Sequence, residues 1–487
     1  MRSLTVAGIA GAMLLLAFPP YGQAYLTVPA VALLLWALRS APSRGVAIWS
    51  GSIFGLVFFG FLFPWLTELG LVAFVPLWLM QSAYFAGIGW VVWRARGLVG
   101  GSWVAVVAGL WAGMEFLRGR FPLGGFEWGF LGYPMGEYSW TRGATQWIGT
   151  TGWSVVLVAV AAALVHGAAS RRWALAASGT GVAALLTVAG GVFPSVASGP
   201  AVDVAIVQGS TPCPGSHCEN ERFRTYETHL ALTRSLAAGS VDLIVWPEGS
   251  TGGFSADPVL DPAVGEAIGA EARRIDAVML VGGDRPLSDT EWANANVVFD
   301  ETGTIVGEYR KRHPVPFGEY VPARPLFDWI PALAAVPRDM VRGDGPRVFD
   351  VFFGRLGSVV SWEGSFARFS RDEVKAGAQV LVVATNQGSY PFSVASDQLI
   401  GMTRMRAAEL GVDLVHAGVV GRSTLITGGG EVGPATGLAT SEILTGSVRM
   451  RTEGPTLYGR LGDWLQWMAV VTATALAVAL RVRTGRS

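Results

Sequence analysis

The sequence predicts a membrane α-helical bundle of about eight spans joined to an extracytoplasmic α/β domain. Three observations carry this. Apolar runs of spanning length crowd residues 1–195 and recur once near the C-terminus. Only 15% of the 487 residues are charged, against about 25% in soluble domains, and the mean hydropathy is +0.42. Between residues 196 and 463 the pattern changes to short β-branched runs alternating with amphipathic helical stretches.

The apolar runs lie at about 4–19, 24–38, 45–66, 69–93, 98–117, 153–169, 173–193 and 465–481. The first has the length of a signal peptide, but no convincing cleavage site separates it from the spans that follow. Arginines set the orientation. With a cytoplasmic N-terminus, the inside segments carry Arg2, Arg39, Arg44, Arg94, Arg96, Arg171, Arg172, Arg481, Arg483 and Arg486, while the short outside loops near 20–25 and 64–70 carry none. Only the longer outside loop 118–152 departs, with Arg118, Arg120 and Arg142. The positive-inside rule then places both termini in the cytoplasm and residues 196–463 outside, and eight spans satisfy that parity. The expected division is a seven-span bundle at 1–195, an extracytoplasmic domain at 196–463, and a final span with a cytoplasmic tail at 464–487. The Gly- and aromatic-rich stretch FPLGGFEWGFLGYP in the long loop is expected to lie at the headgroup level, or to be an ordinary connection.

From residue 202 the predicted strands and helices alternate. They run VDVAIVQG, a helix near 219–237, DLIVWPE, a helix near 259–275, AVMLVGGD, NANVVFD and TIVGEYRK around the turn ETGT. RVFDVFFG and LGSVVSWEG follow, then a helix near 366–376, AQVLVVATNQG, a helix near 395–410, DLVHAGVV and a Gly-rich hairpin through GGGEVG. This is a layered α/β domain large enough for its own core. Net charge is zero and no basic tract of five occurs, which argues against nucleic acid as the main partner. Cys213 and Cys218 in TPCPGSHC match no usual zinc spacing, with only His217 close by. A short-loop disulfide in an oxidising compartment is the expectation, two free thiols the alternative. No cofactor is expected.

The stretch YRKRHPVPFGEYVP, residues 309–322, holds Lys311, one of only two lysines. A chain that otherwise meets its need for positive charge with arginine has a reason to keep an amine here, because lysine can be tuned by burial and arginine cannot. Glu248 closes IVWPE, Lys311 closes TIVGEYRK, and Ser361 closes LGSVVS, followed by Trp362 and Glu363. Strand ends of open α/β sheets are where ligands bind. Taken singly, each residue reads as a helix cap or a structural ion pair. Converging, they suit acyl transfer: a carboxylate takes the proton, the third residue attacks, and the amine stabilises the oxyanion. His313, in the same basic run, is expected to be a hydrogen-bonded spacer, and His416 in DLVHAGVV a satisfied core histidine.

These motifs resemble the carbon–nitrogen hydrolase (nitrilase) superfamily, whose triad is Glu, Lys and Cys on an αββα sandwich. With membrane spans on either side, the nearer resemblance is to the bacterial apolipoprotein N-acyltransferase family. VQGSTP is similar to that family's first strand, WPEGS to its Glu motif, and YRKRHPVPFGEYVP to its Lys motif. SWEGSF falls at its Cys-aromatic-Glu motif, and TNQGSY and MTRMRAAE are similar to two later segments. The resemblance implies Glu248 as general base, Lys311 as oxyanion-stabilising amine, and Glu319 and Glu363 as supporting acids. It also implies a phospholipid acyl donor, a diacylglyceryl lipoprotein acceptor, and a monomer in the bacterial inner membrane. One departure stands out: Ser361 occupies the position of the family's nucleophilic cysteine, and Trp362 that of its usual tyrosine. Neither Cys213 nor Cys218 can replace it, since both lie near the first strand. A hydroxyl needs stronger general-base help than a thiol, although Ser–Lys catalysis exists on other folds. Two readings follow: an enzyme working through an acyl ester on Ser361, or a catalytically silent homologue that binds lipid or lipoprotein or assists an active paralogue. An amidase-like hydrolase is a third.

Overall fold

A computed structural model of the chain describes residues 1–216, 218–327 and 329–484. His217, Arg486 and the side chains of Arg481 and Arg483 lie outside the described residues. The chain forms two compact units, one of Met1–Pro194 with Thr456–Ser487 and one of Ser195–Pro455.

The first unit is helical: α1 Arg2–Leu15, α2 Thr27–Arg39, α3 Arg44–Leu62, α4 Leu71–Arg94, α5 Gly100–Arg118, α6 Ser139–Gly143, α7 Thr145–Ser170 and α8 Ala174–Val192. Five of these, α3, α4, α5, α7 and α8, are long and apolar enough to cross a membrane; α1 and α2 are shorter apolar helices. Small residues let backbones meet where no hydrophobic force separates helix from lipid. A Cβ on Gly51 would lie 2.0 Å from the Phe85 carbonyl oxygen, and one on Gly89 would lie 2.3 Å from that of Ala47, so α3 and α4 touch through glycine.

The long loop is exposed at Phe121, Leu123, Tyr138 and Trp140, while Phe126, Trp128, Phe130, Leu131, Tyr133 and Met135 are buried. Two of the arginines that broke the charge pattern are internal braces. Arg118 donates to Gln81 Oε1 at 3.0 Å and to the Trp128 carbonyl at 2.8 Å, and Arg142 donates to the Gly136 carbonyl at 2.8 Å. Backbone carbonyls buried outside regular structure need donors within the protein, and these guanidinium groups supply them.

The second unit holds two sheets. The first is built from β1 Ala201–Gln208, β2 Leu243–Trp246, β3 Val278–Pro286, β4 Glu291–Phe299, β5 Ile305–Arg310 and the short β6 Asp339–Met340. The second comprises β7 Val348–Val351, β8 Gly354–Val360, β9 Val380–Thr385, β10 Leu414–Gly418, β11 Thr424–Ile426 and β12 Val432–Ala435. A last strand, β13 Glu442–Arg449, returns to pair antiparallel with β1, giving the orders β13-β1-β2-β3-β4-β5, with β6 on β4, and β12-β11-β10-β9-β8-β7. The sequence reading lacked β6 and β13; the latter buries only Val448, so no alternating apolar signal announces it. Helices α9 Glu221–Arg234 and α10 Pro262–Ile275 cover the first sheet through Tyr226, Leu230, Ile268 and Ala272, packed on Val207, Trp246, Met279 and Val297. Helices α11 Ala367–Lys375 and α12 Ala395–Leu410 belong with the second sheet. The two sheets face each other, and Asn296 Nδ2 donates across the gap to Ser358 Oγ at 2.6 Å. This αββα layering buries β2, β9 and β10 on both sides, which explains their unbroken apolar runs. Cys213 and Cys218 form a disulfide. The chain then re-enters the helical unit through α13 Leu457–Leu461 and α14 Trp464–Thr484.

Candidate active site

Lys311 is the first residue after β5, and its N–H still donates to the Asn294 carbonyl of β4 at 2.9 Å. The sheet ladder therefore sets its position. Its side chain is fully buried, with Nζ 3.3 Å from Glu248 Oε1 and 2.5 Å from Glu319 Oε1. Glu248 sits two residues beyond β2, and its Oε1 also accepts from Asn294 Nδ2 at 2.7 Å. The turn that carries it needs Gly282 on the neighbouring strand, since a Cβ there would lie 2.3 Å from the Pro247 carbonyl oxygen. Glu319 Oε2 accepts from the Val315 N–H at 2.7 Å, closing the lysine loop on itself.

Ser361 lies on the opposite sheet, directly after β8, and adopts φ +59°. Left-handed backbone is uncommon for a residue with a Cβ and costs about 1–3 kcal/mol, so it persists only where surrounding contacts impose it. Glu363 imposes it. This buried carboxylate accepts from the N–H groups of Arg312 (2.6 Å) and His313 (2.8 Å) at Oε1, and from Tyr309 Oη (2.8 Å) and the Val360 N–H (2.9 Å) at Oε2. One side chain thus fastens the lysine loop to the turn that holds Ser361. Trp362 adds a second tie, donating Nε1 to the His313 carbonyl at 2.5 Å. The Ser361 hydroxyl is close enough to Glu248 to favour its ionised form, and Glu248 Oε2 is buried with no full hydrogen-bond partner. Glu248, Lys311, Glu319 and Ser361 therefore meet in one place, with Glu363 beneath them.

Burial pushes the Glu248 carboxyl above the ordinary range; Lys311 opposes the shift and Glu319 adds to it. Burial works against the charge on Lys311, but Glu248 and Glu319 outweigh it and hold the ammonium protonated beyond the ordinary lysine range. The tuning expected of this lysine thus runs toward the charged form. Lysine is here because a compact ammonium with three donors fits a closed pocket, where two N–H groups engage carboxylates and one is left to point elsewhere.

His313 is a spacer of another kind than expected. Its ring stacks on Trp362 at 4.5 Å and meets Phe366 edge-on at 4.6 Å, with Nε2 buried and unpartnered. Burial and nearby cations hold its pKa at about 2, so it stays neutral. His416 is buried, with Nδ1 3.2 Å from Thr403 Oγ1. The sequence reading missed Asn294, Asp284 and Tyr309. A signal existed for the first two: polar residues at strand positions flanked by apolar neighbours in VGGD and WANANVVF.

The description "Apolipoprotein N-acyltransferase N-terminal domain" matches residues 10–163, and "Carbon-nitrogen hydrolase" matches residues 203–456. The chain is similar to an apolipoprotein N-acyltransferase of Geobacter metallireducens, 30% identical over 99% of this chain and 96% of that one. A Mycolicibacterium smegmatis protein of the same name is 30% identical over 99% of this chain and 85% of its own, and one from Gloeobacter violaceus 28% identical over 100% and 96%. The match to both halves makes this a multi-pass membrane protein with an extracytoplasmic soluble domain. By its full-length relatives and its matching catalytic-domain description, the chain belongs to the apolipoprotein N-acyltransferase family, acyltransferase-type membrane proteins of the carbon–nitrogen hydrolase superfamily.

Proposed function

We propose that this protein moves an acyl chain from a phospholipid to the N-terminal amine of a diacylglyceryl lipoprotein through an acyl ester on Ser361. The observation that carries the reading is Ser361 itself, held in left-handed backbone at a strand end beside a buried glutamate with a free oxygen. Sharp strand-to-helix turns of this kind present nucleophiles. In the first half-reaction Glu248 takes the hydroxyl proton as Oγ attacks the ester carbonyl, and the free N–H of Lys311 meets the oxyanion. The tetrahedral adduct collapses, and the lysophospholipid leaves with the proton from Glu248. In the second, the acceptor amine attacks the acyl carbon, Glu248 takes its proton, and that proton goes to Oγ as the ester bond breaks. A carboxyl whose pKa burial raises is a better proton acceptor than an ordinary carboxylate, which suits both transfers. Glu319 and Glu363 act as positioning acids. Eight spans, cytoplasmic termini and a monomeric state complete the proposal.

A second reading rests on the motif resemblance, which puts the Ser361 hydroxyl at the family's thiol position: the scaffold then binds lipid or lipoprotein without turnover. Mass spectrometry of the purified protein incubated with phospholipid separates the two. An acyl ester on the peptide containing Ser361, absent in Ser361→Ala, is the expected result. A Ser361→Ala variant as active as the parent would exclude covalent catalysis at this residue. A parent that is inert while Ser361→Cys transfers acyl chains would establish the silent reading.

A further inference from the structure

Asp284 and Asn294 are direct partners across β3 and β4, so their side chains share one face of the sheet. Asn296, two residues along the same strand, shows that this face looks toward the second sheet. Asn294 gives its Nδ2 to Glu248, and its Oδ1 is then buried without a partner. Glu248 Oε2 and Asp284 Oδ1 are also buried and unpartnered. Three oxygens on residues joined by this pairing therefore want donors. Asn294 and Glu248 are 3% and 5% exposed, so bulk solvent does not readily satisfy them. Buried acceptors without donors are costly, and native proteins seldom keep them without a use.

The charges around Asp284 narrow the ligand. Glu248, Glu319 and Lys311 face it from the site and Arg222 from α9. Burial, and then the two glutamates, push its carboxyl up to about 7. The open atoms are acceptors and Lys311 is already paired with Glu248 and Glu319, so a phosphate headgroup would add negative charge beside three carboxylates with only Arg222 to offset it. A protonated amine brings three N–H donors and the charge that this carboxylate lacks.

Resting on the acyl-transfer reading above, we infer that Asp284 and Asn294 form the seat of the acceptor's ammonium group, and that Asp284 selects an amine as the second substrate. The carboxylate of Asp284 takes the surplus proton of the ammonium, leaving a neutral amine beside the acyl ester. Its lone pair attacks the acyl carbon; Glu248 takes a second N–H proton and returns it to Oγ as the C–Oγ bond breaks. The proton on Asp284 leaves to water, so the sum is amine plus acyl-serine giving amide plus serine.

The test uses full-length protein preloaded with phospholipid, so that acyl transfer is followed from the acyl-enzyme alone. With a diacylglyceryl-cysteine lipopeptide as acceptor, Asp284→Asn should slow transfer per acyl-enzyme at least about tenfold and raise the lipopeptide KM. Hydroxylamine, largely neutral at about neutral pH, should release the acyl group from the variant as fast as from the parent. In the parent, the α-N-acetylated lipopeptide should inhibit transfer to the free-amine lipopeptide only weakly, with a Ki well above the free-amine KM. Wild-type transfer kinetics in Asp284→Asn, an equal fall with hydroxylamine, or an acetylated lipopeptide whose Ki equals the free-amine KM would each overturn the inference. A parent that never acylates at Ser361 would overturn the acyl-transfer reading instead, and the seat with it.

Discussion

At Lys311, two carboxylates outweigh the cost of burial, and the geometry of a small ammonium explains why arginine, preferred everywhere else but at Lys375, is not used. Lys311→Arg keeps the charge but places a planar fork in a pocket built for three tetrahedral donors. Lysophospholipid release should fall about 10²–10³-fold, the usual loss when an oxyanion donor is misplaced. His229 carries a different prediction. It is fully buried in α9, with Nδ1 2.7 Å from the Thr225 carbonyl and Nε2 accepting from the Gly209 N–H at 3.1 Å. The Nε2 contact requires the neutral ring, and burial lowers its pKa from 6.5 to about 4 against the opposing pull of the Thr225 carbonyl. The unfolded chain takes up a proton near 6.5 and the folded one does not. Stability from this group is therefore complete above 6.5 and is lost as pH falls toward 4. Denaturation midpoints should decline across that window, and His229→Asn should flatten the decline while lowering the midpoint at neutral pH.

Among elements, α12 is tied to the site through Arg406. Its guanidinium, 1% exposed, lies 2.9 Å from Glu409 Oε2 and donates to the Ser365 carbonyl at 3.3 Å, in the turn that follows Ser361. Arg406→Met removes the cation and leaves Glu409 charged and buried. A loss of about 3–5 kcal/mol is expected in chemical denaturation. The α3–α4 contact makes a parallel case in the helical unit. Gly51→Leu would drive a side chain into the Phe85 backbone, and the variant should show reduced yield of folded protein in detergent.

For the whole molecule, topology is the first measurement. A reporter fused after Arg172 should read cytoplasmic, and one near Pro200 extracytoplasmic; the reverse result would move the proposed site to the wrong side of the bilayer for its acceptor. Much was legible beforehand. The apolar runs correspond to helices, and the strands carrying Glu248, Lys311 and Ser361 end where the motifs said they would. Less legible were Arg118 and Arg142, which in a linear charge count look like loop residues and in the fold are buried braces. The direction in which Lys311 is tuned was not legible either, because a pKa depends on which carboxylates lie within reach.

Hydrophobic periodicity and turn residues act over a few neighbours, so the chain alone determined its apolar helices, most of its strands and the motifs at their ends. Tertiary structure decided which of those ends meet. Glu248 and Lys311 are 63 residues apart, and Lys311 belongs to one sheet while Ser361 belongs to the other. Their approach depends on strand register, on sheet facing sheet, and on the four hydrogen bonds of Glu363. None of these is a local property, and the open acceptors of Asp284 and Asn294 became visible only once every nearby donor had been placed.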